Sequence, residues 1–340
     1  MTAAYALLSD PRAPAAARVL PIDPIGWVSH RMHAPERNWP QTNCYADLWI
    51  EALGALGLEP AACFGFAISQ DFEGDQFTFF KPPLEDLEAL YGLRATELAL
   101  YDDLVGHLEL QAARGRLVLI ELDSHYLPDT RGVTYREGHG KTTVAINRID
   151  VAAKELDYFH NEGFFRASGE DFDGLFRLLP GLAREDRQYP YAEMVRLPAR
   201  LPSAAETAAA ALPIFVRHIG RRPEANPVAA FRKVVAAQGA ALAARETEAF
   251  HHYAFNTLRQ LGANFELYAD HLGWLAAQGV DGLDEAKAAA IEIAEGAKVA
   301  QLHLARAVRQ LSFARLDGAL AGVEAAHDRL IATLVARFPE

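Results

Sequence analysis

From Ser203 to the C-terminus the chain is rich in alanine, its apolar residues recur at helical spacing, and runs of β-branched residues are few. That stretch is therefore restricted to packed helices, and every strand the chain forms must come from the part before it. Ser203 and Glu206 make a capping-box pattern that starts the first helix. Helices are expected at residues 203–220, 227–278, 284–313 and 316–337, with a break near Gly262 or Gly273 in the long one. Gly220 to Pro227 and Gln278 to Gly282 supply turns. Four or five antiparallel helices make a bundle, and no fixed-period repeat suggests a solenoid.

The first 200 residues carry mixed signals. A lead rich in Pro and Ala runs to about residue 40, followed by a helix that opens at Cys44 and continues through Leu48, Trp49, Ala52, Leu53 and Leu56. Residues 62–69 and 76–80 suggest a hairpin turning through Glu73, Gly74 and Asp75. Lys81-Pro82-Pro83 breaks it before a helix from Leu84 to Tyr91, and a second helix is expected from Thr96 to Ala113, closed by Gly115. Strand-like runs follow at 116–123, 142–147 and 156–161, then a short helix near 171–179 and an irregular stretch rich in Pro and Arg at 180–202. The expected fold is α+β: a mixed domain over residues 1–200 and a helical bundle over 201–340.

Cys44 would lie in the first helical turn, where exposed N–H groups and the positive dipole end favour thiolate over thiol. The ordinary reading of such a residue is a small buried hydrophobe. Its place in the chain argues for more: a cysteine at a helix start, His139 before a strand, and Asn161 at the end of the next strand follow the order of a Cys-His-Asn triad. In such a triad the thiolate attacks a carbonyl, the imidazole shuttles the proton, and the third group fixes the tautomer. Asp123, Asp150 and Asp157 are rival orienters to Asn161. The Cys44 backbone N–H with Gln41 or Asn43 is the candidate oxyanion hole.

Asn43-Cys44-Tyr45, Asp123 with Tyr126-Leu127-Pro128, His139 opening a strand, and Tyr158-Phe159-His160-Asn161 resemble butirosin biosynthesis protein H and its relatives. Those proteins have a papain-like fold related to the cysteine peptidases of bacteriocin exporters. Over most of its length the chain is similar to the domain-of-unknown-function 1839 family, encoded near amino acid:carrier-protein ligases that resemble seryl-tRNA synthetases. The resemblance implies a papain-like N-terminal domain and acyl or aminoacyl transfer from a carrier-protein thioester through Cys44. It also implies no bound cofactor, with the phosphopantetheine of the carrier as substrate arm, Asp123 and Tyr126 near the substrate, and the carrier and its ligase as partners. The alternatives are a thioesterase or amidase, or a non-catalytic protein that holds the loaded carrier or its ligase.

Other patterns are weaker. His252 and Asn256 share a helical face at i, i+4, with Arg259, Asn264 and His271 beyond, and are expected to line the substrate site or to be structural. No Cys-x-x-Cys or His-Glu-x-x-His occurs, so no metal is expected. Glu170 to Gly174 lacks the ligand spacing of a calcium loop, glycine-rich phosphate motifs are absent, and His125 has no Gly-x-Ser-x-Gly beside it. A net charge of -12 over 340 residues argues against a nucleic-acid partner. Two cysteines, no signal-like start and no run of 18 apolar residues point to the cytoplasm without a membrane span. A homodimer through the bundle is the other role open to the helices.

Overall fold

The computed structural model describes residues 16–182 and 189–339. They form two compact units, each discontinuous in sequence. Of these residues, one unit comprises 16–30, 47–57, 91–182 and 189–201, and the other comprises 31–46, 58–90 and 202–339.

The first unit is built on an antiparallel sheet. Its strands are β1 (Ala17–Arg18), β2 (Arg94–Glu97), β3 (Arg116–Asp123), β4 (Lys141–Asp150), β5 (Glu155–His160), β6 (Gly163–Ser168) and β7 (Ala192–Arg196). Their order is β2-β7-β3-β4-β5-β6, with β1 beside β4. Leu117 to Ile120 of β3 are all buried, as expected of an inner strand covered on both faces. One face packs Val118, Ile120, Val144, Ile146 and Tyr158 against Leu108 and Ala112 of a helix at Leu104–Ala113, and against Phe172, Leu175 and Phe176 at and just beyond a short helix at Glu170–Leu175. On the other face the indole of Trp27 meets Phe159 and Phe164 edge-on and donates to Glu51 at 2.8 Å. A bulge in β4 falls at Asn147, whose buried amide bonds both backbone groups of Leu20 and so extends the sheet with a side chain.

Numbered in chain order, the helices are α1 (Cys44–Ala55), α2 (Leu84–Tyr91), α3 (Leu104–Ala113), α4 (Glu170–Leu175), α5 (Ala204–Gly220), α6 (Pro227–Leu242), α7 (Thr247–Ala254), α8 (Gln260–Ala277), α9 (Asp284–Gln310) and α10 (Ala314–Arg337). The second unit contains α5 to α10, and its core is lined by small residues. Ala286, Ala290, Ala297 and Ala300 of α9 are fully buried, which lets helix backbones approach closely. The capping box at α5 forms in both directions: the Ser203 hydroxyl accepts the Glu206 N–H, and the Glu206 carboxylate accepts the Ser203 N–H.

Four sequence expectations need correction. Residues 62–69 are not a hairpin strand; Pro60–Ser69 is a 3₁₀ helix, started by Pro60 and by the Glu59 carboxylate accepting the Ala61 N–H. Nine of its ten residues are buried, so no face alternates and the strand reading had no pattern to rest on. The helix expected from Thr96 begins only at Leu104, where Asp103 caps it, and Arg94–Glu97 is instead β2. The stretch 180–202, expected to be irregular, contains β7 as an inner strand; residues 183–188 of it lie outside the described residues. The long helix of 227–278 breaks between α6 and α7, not at Gly262 or Gly273. A π-helical turn, Phe255–Arg259, then joins α7 to α8 without interruption.

Candidate active site

Asp123 ends β3 and pairs across the sheet with Lys141, the first residue of β4. The chain between them makes two 3₁₀ turns, Ser124–Tyr126 and Pro128–Thr130, and loops back through His139. These turns are fixed locally: Thr130 Oγ1 donates to the carbonyls of Ser124 (2.8 Å) and Leu127 (2.9 Å). One Asp123 oxygen accepts the His125 backbone N–H at 3.0 Å, the short-range bond that Asp makes readily at the start of a turn. The other oxygen meets His139 Nδ1 at 2.6 Å.

An ionised carboxylate can only accept, so His139 Nδ1 donates to Asp123, and in the neutral imidazole Nε2 keeps its lone pair. The His139 side chain is 68% exposed, so that nitrogen is open to a reactant. Its ring stacks on His125 with centroids 4.4 Å apart and planes at 12°, and His125 Nδ1 pairs with the Gly138 carbonyl at 3.1 Å. Carboxylate and stacked ring together hold the His139 imidazole in one plane.

The pair lines a pocket of about 420 Å³. Its apolar wall includes Leu122, Tyr126, Leu175 and Phe176, and Asp123, His139 and Lys141 form part of its polar side. Tyr126 lies over Gly174, where any Cβ would run into its ring. Lys141 is bound to Glu121 at 2.8 Å. An oriented base beside an apolar recess suits proton removal from an acceptor while an acyl chain is held.

A second polar chain links Asp129, Tyr158, His160 and Thr142. Asp129 accepts the Tyr158 hydroxyl at 2.6 Å and pairs with His160 Nδ1 at 2.6 Å, while His160 Nε2 meets Thr142 Oγ1 at 2.7 Å. Sequence reasoning missed Asp129 and Thr142, because nothing local marks two residues that meet only when β4, β5 and the turn after β3 come together.

The remaining candidates are placed as follows. Asn161 is not the partner of His139: it opens the tight turn between β5 and β6 with φ 45°, a left-handed conformation that Asn tolerates. Asp157 is fully buried and binds Arg166 at 2.5 and 2.9 Å, and Asp150 binds Arg148 at 3.0 Å, so both rival carboxylates serve ion pairs. Among these carboxylates Asp123 is the one that meets the His139 ring. Cys44 is the first residue of α1, half-buried and without a disulfide, and belongs to the second unit. Asn43 caps that helix, its oxygen accepting the N–H groups of Tyr45 (3.1 Å) and Ala46 (3.0 Å). Its amide nitrogen donates to the Phe80 carbonyl (2.9 Å) and Gln260 (3.1 Å), which commits both hydrogens and leaves none for an oxyanion. Gln41 accepts from Arg259 at 3.3 Å through its backbone and side-chain oxygens. His252 and Asn256 are exposed on consecutive helical turns, His252 beside Glu248 and Asn256 donating to the His252 carbonyl.

Among the described residues no three His, Cys, Asp or Glu side chains converge as a metal would require, and no helix is long and apolar enough to cross a membrane. Compared with known families, residues 28–197 match the model of the DUF1839 N-terminal domain and residues 204–336 that of the DUF1839 C-terminal domain. No curated protein matches the chain.

Proposed function

The chain belongs to the DUF1839 family, and we propose that it transfers an acyl or aminoacyl group from a thioester, with His139 as general base and Asp123 as its orienter. The observation that carries this reading is the 2.6 Å contact between His139 Nδ1 and Asp123 beside an apolar pocket. His139 Nε2 takes the proton of an acceptor amine, hydroxyl or water as it attacks the thioester carbonyl. The carbon–sulfur bond then breaks, and the imidazolium returns the proton to the departing thiolate. A phosphopantetheine carrier is the thioester donor in this reading, a loading ligase is its source, and the cytoplasm is its setting. The N-terminal part is read as a papain-like shell, which the helix opening on Cys44 and the histidine just before β4 support.

A covalent version has its own support. Cys44 occupies the first position of a capped helix, half-buried and without a disulfide. In that version the acyl group passes to Cys44 before reaching the acceptor.

The test is to incubate the full chain with an aminoacyl-loaded phosphopantetheine carrier and follow loss of the thioester by intact mass. Turnover that falls about 100-fold or more in His139→Gln, with unchanged melting, is the expected result. An adduct on Cys44, absent from Cys44→Ser, would establish the covalent version. Binding of the carrier without turnover would instead favour a protein that only holds it.

A further inference from the structure

The chain Thr142–His160–Asp129 has the roles of a nucleophile, a base and an orienter at hydrogen-bond distance. Asp129 is all but buried, with 4% of its side chain exposed, and accepts from Tyr158 and from His160 Nδ1. Burial, and then the Asp129 carboxylate, hold the Tyr158 hydroxyl well above its ordinary pKa, so it stays a donor. His160 Nδ1 therefore carries a proton toward Asp129, and in the neutral imidazole Nε2 accepts. In that tautomer Thr142 donates its hydroxyl hydrogen to Nε2 across 2.7 Å, the arrangement that makes a hydroxyl nucleophilic.

A buried polar network of this kind is commonly structural, and position in the sheet is what separates the two cases. Thr142 lies directly opposite Leu122 in the β3–β4 register, so the two side chains share one face of the sheet as cross-strand neighbours. Leu122 lines the pocket, as do Gly140 and Lys141, which immediately precede Thr142. Thr142 itself is 9% exposed and adjoins these lining residues.

We infer that Thr142, His160 and Asp129 form an acyl-accepting triad next to the pocket, with small acyl esters and thioesters as substrates. The Thr142 hydroxyl attacks the carbonyl carbon as its proton passes to His160 Nε2. The bond to the leaving oxygen or sulfur breaks, and that group departs with the proton from His160, leaving an ester on Thr142. Water or an acceptor hydroxyl or amine, deprotonated in turn by His160, releases the acyl group and restores the Thr142 hydroxyl. The acyl-transfer reading given above supplies only the class of substrate; the triad geometry is independent of it.

The test treats the full chain with p-nitrophenyl acetate and, separately, with an alkyl fluorophosphonate, which phosphonylates activated hydroxyls with loss of fluoride. Peptide mapping by mass spectrometry should place acetyl and phosphonyl groups on Thr142. Labelling should fall about 100-fold or more in Thr142→Val and His160→Gln, and be retained in Thr142→Ser. An adduct on another residue, or none on the folded parent, overturns the triad, and this mapping needs no variant to fold. The two proposals fail separately. Absence of a Thr142 adduct leaves the His139 assignment intact, and unchanged thioester turnover in His139→Gln overturns that assignment while leaving a mapped Thr142 adduct in place.

Discussion

Asp123 does two jobs with two oxygens, and the division explains why its neighbours behave as they do. One oxygen starts the turn that carries His125 and Tyr126, and the other fixes the His139 tautomer. Asp123→Asn keeps the size and one acceptor, but its amide can donate to Nδ1 and so reverse the preferred tautomer. That substitution should lower turnover nearly as far as His139→Gln, whereas Asn161→Ala, at a tight turn remote from the Asp123 pair in the hydrogen-bond network, should cost stability and leave turnover within about threefold. Steady-state rates beside melting curves would separate the two, and an Asn161→Ala chain that folds but loses turnover would restore Asn161 to the site. Asp123 stood among the rival orienters from the sequence onward; choosing it over Asp150, Asp157 and Asn161 needed the arginine pairs and the turn, which only the fold reveals.

Elements with one clean periodicity were legible, and those buried on all sides were not. The spacing of α2 and α5, the Ser203–Glu206 box and the start of α1 could be read residue by residue because each carries a cap or a single buried face. Pro60–Ser69 and β7 could not, since the first is covered throughout and the second follows a stretch of Pro and Arg that reads as loop. Two substitutions test the element scale. Asn43→Ala removes the α1 cap and strands the Phe80 carbonyl and Gln260, which should cost about 1–3 kcal/mol by urea denaturation. Gly174→Ala drives a methyl into the Tyr126 ring and should cost about 1–3 kcal/mol while deforming the pocket wall. No loss of stability in either variant would show that these contacts do not hold their elements.

Stability of the whole molecule should weaken in mild acid for an identifiable reason. Burial lowers His271 to about 4, a shift that nearby His218 augments and that the Ala61 carbonyl and Asp86 oppose; burial likewise lowers His327 to about 4 against a small opposing effect of Asp328. Above the ordinary value of 6.5 both imidazoles are neutral folded or unfolded, and they cost nothing. Between 6.5 and about 4 the unfolded chain binds protons that the folded chain refuses, so stability falls, by on the order of 3 kcal/mol per histidine across the window. Below about 4 the folded state titrates too and this contribution levels off. Urea midpoints at pH 7 and pH 4.5 should therefore differ less in His327→Leu than in the parent, and an equal difference would exclude His327 as a source. At neutral pH these effects vanish, and the proposed turnover rests on the Asp123–His139 pair. Its most direct measurement is the rate at which the full chain discharges an aminoacyl-phosphopantetheine carrier, parent against Asp123→Asn, at matched melting temperature. A fall of about 100-fold or more is the predicted result, and rates within a factor of about two would contradict it.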